Sequence, residues 1–396
     1  MAHPGTLLLI MAVAVLAPLL ALGVSRRLRV PLVIFEIGLG IVIGPDVLGW
    51  ARTDTVIDTL SQLGLAMLIF LAGYEIDFST LGGDTLRRAL GAWLISLAAG
   101  LGIVAASAPW SAAVVLGTAL TSTALGTVLP ILRDSGDLRG RFGRVMLAFG
   151  AVGEFGPIIA MALLLSGRKP AESAVLLIAF AVVTGLAVLW ALRPRRPWFS
   201  RAVARTLHTS AQFAVRWVML LLVSMLALSA VFGLDILLGA FAAGVLTRLV
   251  LSGAAPESSA EILAKVEAMG FGFLVPVFFV VTGIEFDLAA LLAGGRELLL
   301  LGVFLLLFLV VRGGPVYALA PRDVRGGDRW ALALYASTCL PLVVAITTIG
   351  LGEGVIDSGE ASAMVGAAMV SVLVLPLAAL RLRAERAEAG AGAEAW

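Results

Sequence analysis

Gly73-Tyr74-Glu75-Ile76-Asp77-Phe78 closes one long apolar run of this 396-residue chain, and Gly283-Ile284-Glu285-Phe286-Asp287-Leu288 closes another about 210 residues later. The shared Gly-x-Glu-x-Asp pattern decides the fold, because it reads as an internal repeat. The two runs, 57–76 and 268–286, are the third and tenth of about thirteen apolar stretches. The others lie roughly at 6–24, 31–49, 89–107, 111–132, 144–166, 173–192, 212–232, 235–250, 297–319, 329–350 and 362–380. Stretches of about 20 residues cross a hydrocarbon core of roughly 30 Å as helices. The motif copies are seven spans apart, an odd number, so they point in opposite directions across the bilayer. The second and ninth spans repeat the relation, each with an acid four residues before a glycine: Glu36/Gly40 and Asp235/Gly239. Inverted repeats of this kind build secondary transporters.

Composition agrees. Hydrophobic residues make up 60% and charged residues 14% of the chain, with a mean hydropathy of +1.06, whereas a soluble domain carries roughly 25% charged residues. A large soluble catalytic domain is excluded; transporter, channel, intramembrane enzyme or membrane sensor remain. The single cysteine, Cys339, cannot form an internal disulfide, and His3 and His208 are too few for a histidine metal cluster. No cofactor is expected, no metal beyond a transported ion, no enzymatic chemistry and no nucleic-acid partner.

Basic residues set the orientation. The alternate joints containing Arg26, Arg87, Arg133, Arg195, Arg248, Arg322 and Arg381 hold nearly all of them, and the opposite joints hold only Arg52, Arg168, Lys169 and Arg296. That asymmetry predicts an N-terminus outside and a C-terminus in the cytoplasm; the expected location is a plasma (inner) membrane. The first run, Thr6 to Val24, reads as a retained span rather than a cleaved leader.

An ionisable group at membrane depth is costly and is by default a functional candidate. Glu154, in Phe149-Gly150-Ala151-Val152-Gly153-Glu154-Phe155-Gly156-Pro157, is the deepest carboxylate, with glycines leaving room beside it. The fifth span reaches the same level at Thr121-Ser122-Thr123, between Gly117 and Pro130, which reads as a weak point in the helix. Its repeat partner is the twelfth span at Ser337-Thr338-Cys339-Leu340-Pro341, where proline removes a backbone donor. Two interrupted helices crossing at mid-depth present free carbonyls and helix dipoles to an ion. Arg312, about fifteen residues into the eleventh span, either snorkels to the surface or pairs inward with Glu154 or those carbonyls. Glu36 reads as a near-interface structural carboxylate, Glu75, Asp77, Glu285 and Asp287 as solvated helix ends, and Gly239 and Gly244 as helix-packing positions.

Six strings in order resemble the second branch of the monovalent cation:proton antiporters, the group of glutathione-gated potassium efflux systems and bacterial sodium/proton exchangers. They are Phe35-Glu36-Ile37 through Gly44-Pro45, Phe70 through Asp77, Ala119 through Ala124, Gly143-Arg144 ahead of Glu154, Leu238 through Gly244, and Phe278-Phe279 through Gly283. The resemblance implies an all-α polytopic membrane protein with inverted repeats and two crossed discontinuous helices, a homodimer, and an elevator-like motion. It divides a transmembrane exchanger domain, 1–383, into a core at about 89–166 and 297–380 and a dimerisation scaffold at about 6–76 and 173–286. Residues 384–396 are left as a short cytoplasmic tail without the family's nucleotide-binding regulatory domain. The family places two polar or acidic residues side by side where this chain has Gly153 and Glu154, and its basic residue of the eleventh span corresponds to Arg312.

The resulting expectation is exchange of sodium or potassium for a proton. Glu154 carries the proton or cation, with Thr121, Ser122, Thr123 and Gly153 around it. Ser337, Thr338 and Pro341 form the partner break, and Arg312 offsets carbonyl or carboxylate charge. With a lone carboxylate, proton and cation are alternative ways of neutralising one buried charge; with Arg312 in place of a lysine able to release a proton, the resemblance implies electroneutral exchange. The rival readings are an uncoupled cation channel and a membrane sensor that kept the fold and lost transport.

Overall fold

Prolines and glycines cut the apolar runs into helices in the computed structural model, which describes residues 4–25, 31–75, 83–134, 136–164, 170–191, 197–234, 236–254, 256–293, 295–324 and 326–393. Asp77, Asp235, Arg26, Arg27, Arg29, Arg168, Lys169 and Arg195 lie outside them. Helix α1 (Pro4–Ser25) is followed by the twelve-residue α2 (Leu32–Ile43), which starts after Pro31 and stops at Gly44, and by the longer α3 (Thr55–Glu75) and α4 (Gly83–Ala105). The fifth run is two ten-residue halves, α5 (Trp110–Ala119) and α6 (Leu125–Asp134). Then come α7 (Arg141–Leu164), α8 (Pro170–Ala191), a short α9 (Pro197–Thr206) absent from the sequence reading, α10 (Phe213–Val231) and α11 (Ile236–Ala254). A π turn at Gly270–Leu274 joins α12 (Ser259–Met269) to α13 (Val275–Ile284), and α14 (Leu288–Ala293) follows. A second π turn at Phe308–Gly313 joins α15 (Gly295–Leu307) to α16 (Gly314–Leu319). The twelfth run is again split, into α17 (Gly327–Ala336) and α18 (Pro341–Gly352), before the long α19 (Ser358–Ala393).

The described residues contain no strand. Ten segments among them are long and apolar enough to cross a membrane, and α2 and α5 are shorter apolar helices. The expected count of about thirteen crossings is not reached on length and composition, although every expected span coincides with helix.

The repeat is visible as two glycine-to-backbone contacts. A methyl group added to Gly40 on α2 would come within 2.9 Å of Gly283 Cα on α13, and one added to Gly244 on α11 within 2.8 Å of Tyr74 N beside Gly73 on α3. Each copy thus packs its second helix against the motif glycine of the other copy. The counterpart of Gly40 is therefore Gly244, not Gly239, whose own contacts are Met225 and Ser229 on α10. The sequence pairing of Asp235/Gly239 with Glu36/Gly40 was out of register, because acid-to-glycine spacing does not report which face meets the other repeat.

Arg383, on α19, ties the same end of several elements together. It donates to both carboxylate oxygens of Asp137, just before α7, with Nε 2.9 Å from Oδ2 and Nη2 2.5 Å from Oδ1; Nη1 lies 2.7 Å from Asp328 Oδ1 at the start of α17. Its guanidinium stacks 3.9 Å over the Phe142 ring. Nearby, Arg141 bonds Asp323 at 2.6 Å and holds that carboxyl below its ordinary range. Forked, half-buried pairs of this kind outweigh exposed ones. Arg383→Ala is expected to cost about 1–3 kcal/mol and to lower the unfolding midpoint of the detergent-solubilised protein by several degrees. Arg383→Lys recovers less than half of that, since an ammonium cannot reproduce the fork; full recovery would show that only charge matters there.

Candidate functional site

The two interruptions meet. Between α5 and α6 the chain is non-helical around Thr121–Ala124, and between α17 and α18 around Ser337–Leu340. Ala124 N–H donates to Thr338 C=O at 2.7 Å, and Thr123 Oγ1 donates to Ala336 C=O at 2.6 Å. Further backbone groups released by the breaks are satisfied by the long helices alongside. Thr123 N–H donates to Gly153 C=O on α7 at 3.0 Å. That carbonyl is available because Pro157, four residues on, has no N–H to give it. Cys339 N–H donates to Ser371 Oγ on α19 at 3.2 Å, and Ser371 donates back to Cys339 C=O at 3.1 Å.

Arg312 enters from the π turn. Pro315 cannot donate to Val311 C=O, and the helix responds by lengthening its turn, with Gly314 N–H reaching Leu309 C=O. The guanidinium, fully buried, donates from Nε to Thr123 Oγ1 at 3.0 Å and from Nη2 to Phe149 C=O at 2.6 Å. Nη1 has no hydrogen-bond partner among the described residues. Snorkelling is excluded: the side chain points inward, to a carbonyl and a hydroxyl rather than to Glu154. Gly153 makes this possible. A methyl group there would overlap Arg312 Nη2 and the Thr123 side chain, so the place of the second polar side chain usual in the resembling family is taken by the guanidinium.

Glu154 opens onto a cavity of about 460 Å³ bounded by α2, α3, α6, α7, α13, the first π turn and the start of α18. Thr123, Ala124 and Pro341 at the breaks line it with Glu154. So do Glu36, Glu75 and Thr127, which the sequence reading discounted or missed. The N-terminal turns of α6 and α18 also face this space through Gly126 and Leu342, bringing their positive dipole ends to it. Beside Glu154, Phe155 packs on Phe241 of α11 with ring centroids 4.4 Å apart, and neither ring lines the cavity.

Of the expected site residues, Glu154, Gly153, Thr123, Arg312 and Pro341 come together. The other hydroxyls are buried at the breaks but bond locally: Thr121 to Thr118 C=O (2.8 Å), Ser122 to Ala119 C=O (2.7 Å), Ser337 to Ala333 C=O (2.8 Å) and Thr338 to Leu334 C=O (3.1 Å). They shape the breaks, while the Thr338 backbone carbonyl makes the cross-link. Thr127 lies in the first turn of α6, just past the break at Thr121–Ala124.

The sodium/hydrogen exchanger transmembrane family matches residues 11–380. Among curated proteins, the chain is 28% identical to YjbQ of Bacillus subtilis over 95% of its own length, and it spans 63% of the length of that relative. It is 29% identical to the Na(+)/H(+)-K(+) antiporter GerN of Bacillus cereus, with 70% of this chain and 71% of GerN aligned. Among solved structures it resembles the sodium proton antiporter MjNhaP1 of Methanocaldococcus jannaschii. That match has a TM-score of 0.68 at 16% identity, with 94% of this chain and 97% of the other covered, and it establishes likeness of fold.

Proposed function

Since the chain belongs to the sodium/hydrogen exchanger family, we propose that it is a secondary active transporter exchanging sodium or potassium for a proton at Glu154, with the two crossed breaks and Arg312 as the frame of the site. The observation that carries this reading is one carboxylate, Glu154, set beside the meeting point of the two broken helices and facing a cavity. Thr123 and Thr127 contribute oxygens that a dehydrating alkali cation can use. Thr121, Ser122, Ser337 and Thr338 hold the breaks open through their local bonds.

The same reading assigns the motion. Helices α4 to α7 and α15 to α19 form a core that moves, and α1 to α3 and α8 to α13 a dimeric scaffold that stays, the glycine contacts of α2 with α13 and of α11 with α3 keeping it rigid. The cavity runs along the first turn of α2 and the last turn of α3, the side that the arginine-rich joints assign to the cytoplasm. This is an inward-facing arrangement. Glu154 crosses readily when a proton or cation neutralises it and poorly when bare, because an unpaired charge is costly in the low-dielectric barrier. A single exchangeable charge, beside an arginine that keeps its proton, gives one-for-one, electroneutral exchange.

The test is a pH-gradient assay in proteoliposomes, comparing sodium, potassium and lithium with the membrane potential clamped and then released. Sodium or potassium is expected to dissipate the gradient at the same rate in both conditions. Cation flux without fixed proton coupling would establish the channel reading instead, and no flux at all the sensor reading.

A further inference from the structure

Glu36 has no part in the exchange step described above. It lies on α2 and lines the same cavity as Glu154. Only 3% of the residue's surface is exposed, and it has no hydrogen-bond or ion-pair partner among the described residues. A carboxylate so enclosed, without a donor from the protein, is costly. Its one open direction is the cavity.

The charged groups that line the cavity with it have one sign; the base on α11, Arg248, donates to the Tyr74 and Glu75 carbonyls at the end of α3. Helices α1 and α13, which pack on α2, contain no titratable side chain within their described residues; α3 presents Glu75 and α7 presents Glu154 to the same space. None of the described residues lining the cavity is basic. An apolar-walled cleft with acids alone focuses its field and concentrates cations. The Gly40–Gly283 contact, one turn along α2 from Glu36, allows no slack in that helix, so the carboxylate stays fixed on the part of the cavity wall that α2 forms.

We propose that Glu36 is a second cation-binding carboxylate, a fixed station on the cavity wall where an incoming monovalent cation is held, partly dehydrated, before transfer to Glu154. This rests on the exchange reading for its purpose but not for its existence as a binding site, and the experiment separates the two. Equilibrium binding of ²²Na⁺ to the purified, full-length protein at alkaline pH is compared for wild type, Glu36→Gln, Glu154→Gln and the double variant. Glu154→Gln is expected to retain sodium binding, weakened about tenfold, and the double variant to lose it. In proteoliposomes Glu36→Gln raises the KM for sodium about tenfold while lowering the maximal rate far less, and Glu36→Asp restores most of the affinity, which a merely structural role does not predict. A double variant that binds sodium as Glu154→Gln does, or an unchanged KM in Glu36→Gln, overturns the proposal, as does a wild-type protein without measurable binding. Sodium held at Glu36 by a protein that exchanges nothing would instead sink the exchange reading and leave this site standing.

Discussion

Glu154→Gln abolishes cation-driven proton flux, leaving no more than the leak of protein-free liposomes, a loss of at least about a hundredfold. Two effects combine. The amide neither takes up nor releases a proton near neutral pH, so half of the exchange is gone whatever the cation does. The cation meanwhile loses its counter-charge: a unit pair at 4 Å in a medium of effective dielectric about 20 is worth about 4 kcal/mol, close to a thousandfold in occupancy. The replacement is isosteric and no hydrogen bond of Glu154 holds the breaks together, so the unfolding midpoint should stay within a degree or two of wild type. Glu154→Asp keeps the charge but draws it back by one methylene from Thr123, and should retain exchange at reduced rate and affinity. The control matters because Glu36 and Glu75 line the same cavity. If either of them carried the transported proton, Glu154→Gln would still exchange, and wild-type rates in that variant would remove Glu154 from the centre of the mechanism.

The places where sequence reading succeeded and failed have a common physical basis. Covalent constraints were legible. Pro341 announces the second break, and the Ser/Thr cluster at 121–123 the first, because such residues disturb a helix wherever it lies. The Gly-x-Glu-x-Asp copies were legible as a repeat, and the glycine contacts show each copy packed against the other's motif glycine. Contacts between distant segments were not legible. Four of the five hydroxyls expected at the ion bond their own preceding turn, since rotamer choice there depends on neighbours that a linear reading does not see. Glu36 was discounted on depth along its own helix, but α2 has only twelve residues and the cavity comes to meet it. Pro157 passed unread as the residue that frees Gly153 C=O for Thr123. Its effect appears only once another chain segment arrives with an N–H to place there.

Removing the guanidinium of Arg312 is the second large effect, and the choice of replacement separates packing from charge. Helices α5 and α17 both end at the crossing, and each C-terminus carries roughly half a negative charge. Together they amount to about one elementary charge in a dry interior, and Arg312 lies among them, bonded to Thr123 and to Phe149 C=O, with Gly313 against Ser337. Arg312→Ala opens a void, strips two buried acceptors and leaves the converging dipoles uncompensated, a loss of about 2–4 kcal/mol. The unfolding midpoint falls and exchange drops at least tenfold. Arg312→Met refills much of the volume, so stability is largely regained, yet exchange remains low because the crossing has lost its positive charge and nothing orients Thr123 towards the cavity. Arg312→Lys returns the charge without the fork; one ammonium cannot serve Thr123 and Phe149 together, and activity is expected between that of Met and wild type. A Met variant that exchanges like wild type would reduce Arg312 to a filler of space, and the crossed breaks would then have to hold their geometry on backbone bonds alone.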